Sequence, residues 1–183
     1  MIKPRELNKI INAKFSRIMK RILASAFVAF VAMIAVAQAS AQELVVYTSR
    51  VTGFTCMVPA NAQVQQDNYE ALIIGTPDGE FVVTAIAANS DEVPEDVLAG
   101  SIKSLADNAS IDLNKAVTVE LENENLEGSM IIDTYENGGG AAVGAMEVPE
   151  TPLCFVIAVV AGVNYVAHMD KVLHSLSWVV VDE

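Results

Sequence analysis

Apolar and polar residues alternate with a period of two through much of the chain, and the alternation breaks at clusters of Gly, Pro, Asn and Asp. The segment FTCMVP puts Phe54, Cys56 and Val58 on one face and stops at Pro59, which predicts a strand. In YEALIIGTPDGEFVVTAIAA, apolar runs over 71–76 and 81–88 flank Pro77-Asp78-Gly79, the chemistry of a hairpin turn. The spacing then changes to three and four residues. Val97, Leu98, Ile102, Leu105 and Ala109 form one stripe, which predicts a helix. Asp91, Glu92, Pro94, Glu95 and Asp96 precede or open it, where anions suit the positive end of the aligned peptide dipoles.

Four further strands are predicted after that helix. AVTVELEN places Val117, Val119 and Leu121 inward and Thr118, Glu120 and Glu122 outward. GSMIIDTYEN and AAVGAMEVP flank Gly138-Gly139-Gly140, a permissive turn. LCFVIAVVAG is apolar on both faces, as a central strand covered on both sides would be. A second helix is expected from Asn164, with SWVVVDE trailing behind it. The order β-β-β-α-β-β-β-β-α is dominated by hairpins, so the fold class is α+β: an antiparallel sheet of about six to seven strands flanked by two helices. No internal repeat and no low-complexity linker interrupts it, so residues 42–183 are expected to form a single domain.

Residues 1–41 have a different character. Lys3, Arg5, Lys9, Lys14, Arg17, Lys20 and Arg21 stand against one acid, Glu6, and an apolar run from Ile22 to Ala37 ends in small residues. Basic, then apolar, then A-x-A is the order of a secretory signal peptide, with cleavage expected after Ala41. Met19 offers a compact start of its own, which would make 1–18 an upstream extension. The run is short and Ala-rich for a permanent span, and no cysteine at the cleavage region opens a lipoprotein route. The expected location is periplasmic or secreted, in a bacterium, with no stable membrane insertion after cleavage.

Removing the leader sharpens the charge. What is left keeps 4 basic residues (Arg50, Lys103, Lys115, Lys171) against 22 acidic ones, a net charge of −18. Such a surface repels phosphate backbones and anionic lipid, which argues against nucleic acid as a partner. The exported location also permits a disulfide between Cys56 and Cys154. It would close a loop of about 100 residues, worth up to about 4.7 kcal/mol on the chain-entropy model. Two buried free thiols are the other reading, and both stay open here.

The candidate chemistry is sparse. His168, Asp170 and His174 crowd the closing helix, but at about 100° per residue the two imidazoles lie about 120° apart and do not converge on one ion. Tyr165, Met169, Val172, Leu173 and Leu176 form the stripe expected to be buried, and Asp170 and His174 an exposed i,i+4 pair. The Gly-rich run leads into a strand and has no Lys, unlike a phosphate loop. Glu120, Glu122, Glu124 and Glu127 lack the spacing of a calcium loop. There is no G-x-S-x-G elbow, and neither cysteine has a cation beside it in sequence. No catalytic, cofactor-binding or metal-ligating residue is therefore assigned.

The order of segments, with the F-x-x-x-V-P opening at Phe54 to Pro59 and the D-x-x-x-x-S-L ending at Asp170 to Leu176, resembles the PsbP-like superfamily over nearly all of 52–178. The resemblance implies an α-β-α sandwich that works by binding other proteins, without a catalytic centre, and it carries over no functional residue. The expected function is that of a non-catalytic exported domain with a protein partner in the cell envelope. The alternative, prompted by the acidity, is a small-ligand or divalent-cation (calcium) binding protein.

Overall fold

The structure, a computed structural model, describes residues 43–93 and 95–181; the expected leader lies outside the described residues. Leu153–Ala161 (β9), the segment apolar on both faces, takes the middle of a seven-stranded antiparallel sheet of order β3-β4-β5-β9-β8-β7-β6. Its companions are Gln63–Asp67 (β3), Leu72–Gly75 (β4), Phe81–Asn89 (β5), Val117–Asn123 (β6), Leu126–Thr134 (β7) and Gly140–Glu147 (β8). A second, three-stranded antiparallel sheet joins Leu44–Thr48 (β1), Phe54–Pro59 (β2) and Ser177–Trp178 (β10) in the order β1-β2-β10. The helices are Glu95–Asn108 (α1) and Met169–His174 (α2), the latter preceded by a 3₁₀ turn over Val166–His168.

Alternation along the central strands feeds two cores. Phe81, Val83 and Ala85 of β5 and Phe155, Ile157 and Val159 of β9 face one side, where the small sheet (Phe54, Cys56, Val58) and α2 (Met169, Val172, Leu173) cover them. Ile86, Val156, Ala158 and Val143 face the other, beneath Leu105 and Ala106 of α1. The fold is thus α+β, with helix on one face and small sheet plus short helix on the other. Apolar burial on both faces of one sheet is the main stabilising term.

The structure corrects several details. FTCMVP forms a strand, but in the small covering sheet and not in the main one. Three strands carry no alternation to read: LVVYT has adjacent valines, QVQQD is a polar edge, and Ser177–Trp178 is two residues long. Including them, the described strands number seven in the main sheet and three in the second. The closing helix is shorter than its apolar stripe because Tyr165 and Val166 enter it through the 3₁₀ turn. Val117, expected inward, is 62 % exposed at the end of an edge strand, beyond the reach of the core. On α1 the buried face runs through Ser101, Leu105 and Ala106, and Ser101 satisfies its hydroxyl by donating 2.9 Å to the Val97 carbonyl.

Two glycines allow close approaches. A Cβ at Gly144 would lie 2.0 Å from the Ser129 carbonyl oxygen, so β7 and β8 meet there only without a side chain. Gly53 (φ +74°) opens β2, where a Cβ would lie 1.9 Å from the Val179 carbonyl oxygen.

Candidate functional site

The closing helix is a packing element. Tyr165, Met169, Val172, Leu173 and Leu176 are all buried in the core beneath the small sheet. His174 points away: its Nδ1 donates to the Asp170 carbonyl oxygen at 2.9 Å and stands 3.4 Å from the carboxylate of the same residue. Both side chains are largely exposed, so the pair is worth a few tenths of a kcal/mol at most. His168 is half-buried at the mouth of the helix. Among the described residues no group of three or more His, Cys, Asp or Glu is placed to hold a metal ion.

The thiols are free and separately buried. Cys56 belongs to the core beneath the small sheet. Cys154 lies two residues before Val156 on β9, so alternation turns it to the α1 face. The sheet separates them, and the disulfide that the sequence left open is not formed. Burial pushes the Cys56 thiol up to about 12, and it also raises Cys154, with the Glu147 carboxylate adding to the shift. Neither is a thiolate at neutral pH, so neither is a nucleophile there.

Two carboxylates act as ties between elements. Asp67 accepts the Tyr47 hydroxyl at 2.7 Å and the hydroxyl of fully buried Ser49 at 2.6 Å, joining the edge of one sheet to the edge of the other. Burial, and then the bond to Asp67, raises the Tyr47 phenol to about 12. Asp78, in the turn between β4 and β5, accepts from the Thr76 hydroxyl, the Glu80 amide and, at 3.3 Å, the Tyr165 hydroxyl. A third tie holds the end of α1: the Asp112 amide donates to Asp133 at 2.8 Å, and the Tyr135 hydroxyl donates to the Ala109 carbonyl. Each of these bonds fastens a turn or a strand end to a neighbouring element. Turn chemistry marked Asp78 in the sequence; nothing there marked Asp67, whose partners lie 18 and 20 residues away.

The register of the main sheet assembles one feature invisible in any single strand. Glu122 lies directly opposite Glu127, and Glu127 directly opposite Glu147. Directly opposed residues share a face with Cβ atoms about 4.5–5.5 Å apart, so three carboxylates form a row across β6, β7 and β8. All three are exposed. The ion pairs among the described residues, Lys115–Asp112 and His174–Asp170, do not involve them. The row continues through Cys154 to Ala88. There it meets an open, apolar depression of about 220 Å³ lined by Ala87, Ala88, Asn89, Pro152 and Leu153. Among the described residues no helix is long and apolar enough to cross a membrane.

No family model and no curated protein matches the chain. Solved structures similar to it include cyanobacterial PsbP (CyanoP) from Synechocystis sp. PCC 6803, at 11 % identity and a TM-score of 0.45, covering 79 % of this chain and 98 % of that one. The Saccharomyces cerevisiae Ran-binding protein Mog1p is similar at 8 % identity and a TM-score of 0.40, over 72 % and 84 % of the two chains. A Bacteroides thetaiotaomicron VPI-5482 protein is similar at 10 % identity and 0.41, over 79 % of this chain but only 51 % of its own. This chain thus spans about half the length of the Bacteroides protein.

Proposed function

We propose that this protein is a non-catalytic exported domain that binds a protein partner in the cell envelope, with the acidic side of its main sheet as the contact surface. The observation that carries the proposal is the row Glu122, Glu127, Glu147. Like charges directly opposite one another on a sheet cost stability, and no cation in the described ion pairs offsets them. A partner with a basic face would offset that cost on binding and would be steered to it by the net charge of −18 left after the leader. The basic-then-apolar order of residues 1–41 supports export.

The test is a pull-down of the tagged protein from envelope extract, comparing the natural chain with Glu122→Gln/Glu127→Gln/Glu147→Gln. A recurrent partner, released by salt and lost in the triple variant, is the expected result. A partner held equally by the variant would remove the acidic face from the proposal.

A second reading, prompted by the acidity of the chain, is weak binding of calcium at the surface. No convergent ligand group accompanies it among the described residues, so binding would be weak. Calorimetry with calcium distinguishes the two, since heat that disappears in the triple variant belongs to the ion and not to a protein.

A further inference from the structure

Helix α1 is held unevenly along its length. Ser101, Leu105 and Ala106, its buried residues among those described, all lie in the second half. From Asp96 to Gly100 no residue is buried: Asp96, Ala99 and Gly100 are exposed, and Val97 and Leu98 only half-buried. The hydrogen bonds that fasten the end of the helix belong to the second half as well. The Ile111 amide donates to the Ala106 carbonyl at 2.9 Å, the Tyr135 hydroxyl to the Ala109 carbonyl, and the Asp112 amide to Asp133 at 2.8 Å. Local opening starts where few apolar groups are buried, and the first half of α1 is such a place.

The junction of the two halves is soft. Gly100 lies inside the helix, yet a Cβ there would meet nothing within 4 Å. Packing therefore does not require glycine, which weakens a helix through the backbone freedom it gives up. Ser101 follows, and its hydroxyl donates back to the Val97 carbonyl at 2.9 Å, a bond that competes with the helical ladder and bends it. What lies beneath follows from the connectivity. α1 begins soon after β5 ends at Asn89, and it finishes beside Tyr135, at the other end of the sheet, where Thr134, Gly140, Ala161 and Phe81 stand in register. Its first turns therefore cover the Asn89 end, where Ala88 is opposite Cys154 and Ile86 opposite Val156. These four are 8 %, 1 %, 1 % and 0 % exposed, and alternation puts them all on the face that α1 covers.

We infer that Asp96–Gly100 is a lid, hinged at Gly100 and Ser101, that lifts from the sheet while the rest of the fold stays closed. Lifting it uncovers Cys154 and lengthens the apolar depression at Ala88 and Leu153. Cys56, beneath the small sheet and on the far side of the main one, stays covered. The two thiols thus report different events, Cys154 the lid and Cys56 the unfolding of the whole molecule. The inference is independent of the acidic row on β6, β7 and β8.

The experiment is alkylation with iodoacetamide, an uncharged reagent that neighbouring carboxylates do not repel, of the protein expressed from its full sequence. It is run at mildly alkaline pH, without urea and in urea below the unfolding transition, and the rate at each cysteine is read by peptide mass spectrometry. Cys154 should react roughly tenfold faster than Cys56 or more. Low urea should leave its rate unchanged, because a lid exposes little surface, while the rate at Cys56 climbs steeply. Gly100→Ala should slow the reaction at Cys154 roughly fivefold, since alanine is the better helix former. Leu173→Ala, in the opposite core, should speed the reaction at Cys56 and leave Cys154 as it was. Equal rates at the two cysteines, or a common acceleration by urea or by Leu173→Ala, would mean that only global unfolding uncovers Cys154, and overturns the inference. A rate at Cys154 that Gly100→Ala does not change overturns it too, because the thiol is then reached by a route other than the lid.

Discussion

Single side chains divide here into those the core needs and those water can have. Leu173 and Leu176 are 4 % and 0 % exposed, and truncating either to Ala should cost about 2–5 kcal/mol in chemical denaturation, through lost transfer energy and the cavity left behind. His174→Ala removes only an exposed pair and should stay within about 0.5 kcal/mol. The reverse order would mean that the helix presents its other face to the core. Two weak acids, buried Cys56 and half-buried Tyr47, carry a pH dependence. Cys56 keeps its proton to about 12 when folded but loses it near 9.0 when unfolded, and Tyr47 does so near about 12 and 10.0. Between each pair of values the unfolded chain holds fewer protons, so stability is full below the lower one and falls as pH rises through the window. Thermal melts should show a midpoint that declines above pH 9.0, with Tyr47→Phe flattening the part above 10.0. A midpoint indifferent to pH across that window would refute the burial of Cys56 and the bond from Tyr47 to Asp67.

Pairing between elements decides what a carboxylate costs. Glu127 faces a glutamate on each side, so Glu127→Gln should stabilise the protein by about 0.2–1 kcal/mol. The gain should shrink as salt shortens the range of the repulsion. Glu124→Gln, in the turn between β6 and β7, has no such neighbours in register and serves as the control. Loss of stability in Glu127→Gln, or a gain that salt does not touch, would show that the row is not electrostatically strained. The same scale explains what a linear reading found and missed. A strand with one apolar face, such as β2, announces itself by alternation, and β5 and β9 by their continuous apolar runs. β3 is legible only once β4 is beside it, because its side chains are polar and its order comes from backbone bonds to a neighbour.

For the molecule as a whole, the chain's own pattern determined the α+β class, the two turns at Pro77-Asp78-Gly79 and Gly138-Gly139-Gly140, the buried stripe of the last helix and the central place of β9. It did so because period-two and helical spacing are local, and burial of an apolar face follows from them wherever the element packs. The same local reasoning placed His174 beside Asp170, since four residues make one helical turn. What it left open was decided by contacts between residues far apart in the chain. Cys56 and Cys154 are both apolar strand residues by sequence, and only the layering shows that the main sheet stands between them. Asp67 becomes a tie only where β1 and β3 meet, and Glu147 joins Glu122 and Glu127 only through the register of two hairpins. The division of the described strands into two sheets is likewise a tertiary choice. Alternation tells each strand which face to bury but not which sheet to join, and that was settled by how the faces of the two sheets and the helices close over a common core.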